Sequence, residues 1–171
     1  MTIKFGTDGW RAIVGDDFTA ENVGKVIQAF CELYPKLENT GKGVIIGFDR
    51  RNQSPESAQQ IAAILVGNGI KASLASSFCP TPAVSWYTKH HNCTAGIMVT
   101  ASHNPAQWNG IKFKESSGGA ASEDFVRPIE EQIIVNDERG KTPNIADISS
   151  GHELLSHFDP KKDYLESMQS L

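Results

Sequence analysis

A hydroxyl, an imidazole, an amide and an ammonium fall within about a dozen residues of one another in Thr100-Ala101-Ser102-His103-Asn104-Pro105 and the Asn109-Gly110-Ile111-Lys112 that follows. The segment before them, Ala95-Gly96-Ile97-Met98-Val99, is apolar enough to be a strand buried on both faces. In an α/β layer such a strand delivers its carboxyl-end loop to the crevice where ligands sit. Polar residues that a core cannot use are thus presented where chemistry is possible.

Several chemistries do not fit the loop. A hydrolase triad needs serine, histidine and acid converging from separate points of the fold. Ser102 and His103 are neighbours whose side chains diverge, and no Gly-x-Ser-x-Gly elbow surrounds Ser102. There is no Walker loop, and no dinucleotide glycine fingerprint follows the first strand. What remains is a hydroxyl on a turn rich in backbone amides, with Lys112 nearby. That suits a serine which accepts and donates a phosphoryl group, because amides and cations stabilise charge on the transferred oxygens. The plainer alternative is a polar turn in which Asn104 caps its own backbone. By residue types alone the plain turn is the commoner of the two.

Other candidates are equally two-sided. Arg11, in Gly6-Thr7-Asp8-Gly9-Trp10-Arg11, has the planar fork to hold a phosphate, or it can pair with Asp8 or Asp16. In Asp49-Arg50-Arg51 one arginine could face an anion, but an Asp–Arg pair pinning the loop is the commoner arrangement. His90 and His91 beside Lys89 read as a solvated cationic helix end. Trp10 and Trp108 flank the two polar loops and could shape a sugar pocket, although tryptophan packed beneath a loop is more usual. His152 and His157 carry no signal.

The elements that must position these groups follow from periodicity. Ile3–Phe5 and Arg11–Val14 read as short strands around a turn-rich loop. Thr19 caps a helix whose Val23, Val26, Ile27, Phe30 and Leu33 recur at helical spacing, and Tyr34-Pro35 ends it. Gly43–Phe48 is a strand. Ser54-Pro55 reads as an N-cap followed by proline at the first helical position, and that helix stops at Asn68-Gly69. Ile70–Ala75 is a strand, and Cys79-Pro80-Thr81-Pro82 turns into a short helix through Trp86. Asn109-Gly110 reads as a tight turn into Ile111–Lys114, and Ser122–Val135 as a helix. The expected fold is a three-layer α/β/α sandwich with a mainly parallel mixed sheet, its last strand antiparallel because the connection from the Ala95 strand is short. From Asn136 onward Gly140, Pro143, Ser149, Ser150 and Gly151 mark a linker, and Asp159–Glu166 looks like the start of a helix.

Composition narrows the function. A chain of 171 residues supports one domain with a real core. A net charge of −4 argues against a nucleic-acid binder, so an anionic ligand must be held by a local cluster of cations. Three cysteines without metal-ligand spacing read as reduced thiols. With no signal stretch and no run of membrane-spanning length, a cytoplasmic protein without membrane partner is expected.

Taken in order, GTDGWR, GFDRR with Ser54, PTPAVSW, GIMVTASHNP and NGIKFK resemble the α-D-phosphohexomutase family, the phosphoglucomutases and phosphomannomutases. The resemblance covers nearly the whole chain. It implies that Ser102 is the phosphoserine of the resting enzyme, passing its phosphoryl group to a hexose 1- or 6-phosphate through a hexose bisphosphate intermediate. It implies a Mg²⁺ ion bound by an oxygen of the Ser102 phosphate and by aspartates from elsewhere. Arg11 and Lys112 match positions that assist proton transfer at the sugar hydroxyl, His103 matches a position at the reaction centre, and Asp49 and Arg51 match a supporting loop. A lysine titrates near pKa ~10.4, and a cationic neighbour with exclusion of water would bring it down toward use as a base.

The family's aspartate-rich metal loop, its sugar-reading loop and its last phosphate-binding loop have no counterpart in this sequence. The expectation is therefore a first domain over residues 1–138, with 139–171 a linker and the start of the next domain, whose partners are the remaining domains of the polypeptide. Alone it would be inactive. The alternative is a phosphosugar-binding or regulatory module without catalysis.

Overall fold

The structure, a computed structural model, describes residues 3–169. Its centre is set by two strands too apolar to face water, β2 (Val44–Phe48) and β4 (Ala95–Val99), which pair in parallel with Val44 opposite Ala95 and Phe48 opposite Val99. β3 (Ala72–Ala75) pairs in parallel on the other side of β2. β5 (Trp108–Glu115) runs antiparallel to β4, and β1 (Trp10–Ile13) antiparallel to β5. β6 (Leu155–Phe158) is parallel to β3, which gives the order β1-β5-β4-β2-β3-β6. Only β5 runs against the rest.

Side chains alternate across this sheet with the period of two that strands impose. Val44, Ile46, Ile97 and Val99 point into the larger core, with α1 (Ala20–Leu33), α2 (Ser54–Gly67) and α4 (Glu123–Glu138). Ile45 and Met98 point the other way, to α3 (Thr81–His90), beside which α5 (Lys162–Gln169) lies. Helices thus cover both faces, as expected for the three-layer sandwich. Thr19 caps α1, its Oγ1 accepting from the Asn22 amide at 3.2 Å. α3 lies unusually close to the sheet: a Cβ at Gly96 would sit 2.2 Å from Thr88 Oγ1.

Five expectations are corrected. Ile3–Phe5 is not a strand; the Phe5 amide donates to Glu130 Oε1 at 2.5 Å rather than to a neighbouring strand. Ser54 does not cap α2, since Gln53 precedes the helix at φ +64° and the Ser54 hydroxyl is taken by Asp49. α3 runs on past Trp86 to His90. Asn109-Gly110 is not a turn but lies inside β5; the chain turns earlier, where the Trp108 amide donates to the Pro105 carbonyl at 3.0 Å. The stretch read as linker contributes β6, so the last strand of the sheet is parallel while β5, the last one read from sequence, is antiparallel. Among the described residues, no helix is long and apolar enough to cross a membrane.

Candidate active site

The site begins at the carboxyl end of β4. Asp49, just past the adjacent end of β2, takes the Thr100 hydroxyl on Oδ2 at 2.6 Å, and on Oδ1 the Arg51 amide at 2.9 Å and the Ser54 hydroxyl at 2.8 Å. Thr100 Oγ1 in turn accepts from the Ser102 amide at 2.9 Å. One carboxylate therefore fixes the backbone entering Ser102.

Arg51 fixes the backbone leaving it. Its Nη2 donates to the carbonyls of Ser102 and Asn104, both at 2.7 Å, and its Nη1 to those of Pro105 at 2.9 Å and Trp108 at 3.0 Å. Nε lies 3.4 Å from Asp49 Oδ2. Of the two readings of this arginine, the pinning one holds: its fork is filled by carbonyls.

Held this way, Ser102 sits at φ +57°, in the left-handed region that costs a non-glycine residue about 1–3 kcal/mol. It is exposed, and its hydroxyl has no hydrogen-bond partner among the described residues. His103 is also exposed and unpartnered among them. With no imidazole on the serine and no acid on the imidazole, the arrangement is not that of a hydrolase triad.

The cations come from the sheet edge. Because Ile111 and Phe113 enter the larger core, Lys112 and Lys114 must face the α3 side. Lys112 is only 4% exposed and its ammonium donates to Asp8 Oδ2. Gly9, at φ +98°, allows this: a Cβ there would lie 2.5 Å from the Ile111 carbonyl oxygen, so only glycine lets the Asp8 loop press against β5. Arg11, opposite Gly110 on β1, has Nη2 3.7 Å from the same Asp8 oxygen and donates from Nη1 to Asn104 Oδ1 at 2.8 Å. Partial burial pushes the Asp8 pKa up, but the hydrogen bond and charge of Lys112, with Lys114 and Arg11 nearby, outweigh it and hold the carboxyl below its ordinary 3.8. Lys114 is mostly buried, and that burial, with the charge of Lys112, lowers its pKa despite Asp8.

Ser102, Arg11 and Lys112 are thereby linked through Asn104 and Asp8, while His103 stands outside the linkage. Sequence reasoning named Asp8 only as a partner for Arg11 and missed both its contact with Lys112 and the presence of Lys114. Trp10 is buried and stacked on Phe18 at 5.5 Å, and so packs beneath its loop. His90 and His91 stack on Trp86 and Tyr87 at 4.0 and 5.3 Å. The cysteines are free and buried, and desolvation pushes Cys31 to about 12 and Cys79 to about 11. No three His, Cys, Asp or Glu side chains among the described residues converge as metal ligands. A phosphate on Ser102 would be a single donor group, so these residues do not by themselves fit Mg²⁺.

Residues 2–140 match the family described as phosphoglucomutase/phosphomannomutase, alpha/beta/alpha domain I. The chain belongs to this family. A phosphoglucosamine mutase of Acetivibrio thermocellus is 31% identical over 163 residues, covering 95% of this chain and 36% of that protein. A phosphoglucomutase of Staphylococcus epidermidis is 34% identical, covering 99% of this chain and 32% of its own length. A crystal structure of a Thermus thermophilus protein, provisionally called a phosphomannomutase, superposes with a TM-score of 0.83 at 28% identity, covering 99% of this chain and 36% of the other. The chain thus spans about a third of the length of these phosphohexomutase relatives.

Proposed function

We propose that this chain is the serine-bearing part of a phosphohexomutase, in which Ser102 Oγ carries the phosphoryl group moved between the 1- and 6-positions of a hexose phosphate. One observation carries the reading: a free, outward hydroxyl on a left-handed residue whose backbone is clamped by Asp49 and Arg51, beside Arg11. Such a hydroxyl keeps its position while the bond to phosphorus forms and breaks.

In each half-reaction a sugar hydroxyl attacks the phosphorus. The O–P bond to Ser102 breaks as the O–P bond to the sugar forms, giving the bisphosphorylated sugar; the second half runs in reverse from the other position. Arg11 and Lys112 stabilise the charge on the transferred oxygens and assist transfer of the proton that leaves the sugar hydroxyl. His103 is exposed beside Ser102, without a defined step. Mg²⁺ would bind an oxygen of the Ser102 phosphate, with its other ligands supplied from beyond the described residues, and would neutralise phosphate charge.

The serine loop lies within residues 1–138, the sheet that holds it also takes in β6 (Leu155–Phe158), and the sugar-reading and metal-binding loops would come from the rest of the polypeptide. The relatives are named for glucosamine, glucose and mannose, and the choice of sugar lies with those loops. Buried free thiols suit a cytoplasmic enzyme. The deciding experiment is intact mass with peptide mapping after incubation with a hexose bisphosphate. One phosphate gained on Ser102 supports the reading; the same gain on Ser102→Ala would overturn it. These 171 residues alone should convert little glucose 1-phosphate to glucose 6-phosphate, and robust turnover by them would refute the dependence on further domains.

A further inference from the structure

We propose that Asp8 is a placeholder anion, its carboxylate occupying the cationic seat of Lys112 and Arg11 until a phosphate dianion takes that seat. The proposal rests on the reading of Ser102 as a phosphoryl carrier, and concerns a residue to which that reading gives no separate role.

Lys112 is 4% exposed and its ammonium has Asp8 as its ion-pair partner. A lysine buried to this degree needs a counter-ion whenever no ligand is present. Asp8 differs from it: its side chain is 40% exposed, so the carboxylate is open to solvent and can withdraw into it. Its Oδ2 meets Lys112 and lies 3.7 Å from Arg11, whose other nitrogen holds Asn104 in the Ser102 loop. The seat is therefore shared between the residue that fills it now and the loop that would deliver a phosphate.

Charge gives the direction. One carboxylate faces three cations, Lys112, Lys114 and Arg11, and Lys114 has no ion pair among the described residues. The surplus attracts a dianion more strongly than a monoanion. Once a phosphate is within a few ångströms, like-charge repulsion drives the exposed carboxylate toward water, and the dianion replaces it on the buried ammonium.

The test uses inorganic phosphate titrated into the chain and followed by calorimetry at neutral pH. Asp8→Asn should bind phosphate about tenfold more tightly than wild type, since a competing charge has gone. Asp8→Glu, which restores the carboxylate, should return the affinity to within about twofold of wild type. Equal or weaker binding by Asp8→Asn overturns the proposal. Should that variant fail to fold, the wild type decides: saturating phosphate must shift the side-chain carboxyl carbon resonance of Asp8, and an unmoved resonance overturns it. Phosphorylation of Ser102 by a hexose bisphosphate is scored separately. A Ser102 that never takes phosphate, together with a tightened Asp8→Asn site, would remove the carrier and leave the seat standing.

Discussion

The guanidinium of Arg51 holds the carbonyl oxygen of Ser102 at 2.7 Å, although the two residues lie 51 positions apart on different strand exits. The same fork takes three more carbonyls of the loop. Aligned this way, the loop's carbonyls turn toward Arg51 and leave the Ser102 hydroxyl facing out, which a polar turn closed by its own side chains would not require.

Arg51→Met should therefore loosen the loop without emptying the core. Net loss of several charge-assisted hydrogen bonds at a partly exposed site is worth about 2 kcal/mol, read as a shift in the urea midpoint. Phosphate acceptance by Ser102 from a hexose bisphosphate should fall by more than about tenfold, since misplacing the oxygen raises the barrier. Wild-type acceptance by this variant would show that the clamp does not position the serine.

Ser102→Gly separates conformation from chemistry. Glycine enters the left-handed region freely, so removing the strain at φ +57° offsets the extra chain entropy that glycine brings. Thermal stability should match wild type or exceed it by about 0.5–1 kcal/mol, while phosphate acceptance is abolished. A destabilisation of more than about 1 kcal/mol would mean that the serine side chain itself supports the loop.

How much of this was legible in the chain follows from the physical signals. α1 was readable because Val23, Val26, Ile27 and Phe30 repeat at helical spacing and Thr19 stands in front. β2 and β4 were readable because both faces are buried, which leaves unbroken apolar runs. β6 was not. It pairs on one side only, and Ser156 and His157 are exposed, so neither alternation nor an apolar run marks it. The Ser102 loop announced itself by residue types that a core cannot use. The pairing of Lys112 with Asp8 could not be read, because 104 residues separate them and the antiparallel placement of β1 on β5 decides the contact. Arg51 was ambiguous for a different reason: a guanidinium fork suits an anion and a row of carbonyls equally, and only the fold says which is there.

The Asp8 carboxyl also sets a pH dependence. Its folded pKa lies below the unfolded value near 3.9, so the folded state favours the charged form. The stabilisation it contributes is complete above the unfolded pKa and is lost as pH falls through the folded one. Glu32 behaves likewise: burial raises its pKa, but Lys141, Gln28 and Asn136 outweigh that and lower it. Unfolding free energy measured in urea should decline below about pH 4, and Asp8→Asn should flatten part of that decline. An identical acid slope in the variant would show that Asp8 titrates normally.

The approach of α3 to the sheet tests whether the layer that faces Lys112 and Lys114 is held by packing. A Cβ at Gly96 would fall 2.2 Å from Thr88 Oγ1 and 3.1 Å from Val84 Cγ1, both on α3, and 3.2 Å from Lys114 Cβ. The Thr88 hydroxyl cannot swing away freely, because it donates to the Val84 carbonyl at 2.7 Å and is fully buried. Gly96→Ala must then push the helix outward or break that bond. Overpacking of this kind costs about 1–3 kcal/mol. Because Lys114 borders the same position, the variant should also weaken phosphate binding at the Lys112 seat by a few-fold. Gly69→Ala, at a site with no atom within 4 Å, is the contrast: its φ of +74° strains the chain, yet it should leave phosphate binding unchanged. If Gly96→Ala unfolds at the wild-type urea midpoint, the sheet and α3 are not in the close contact described.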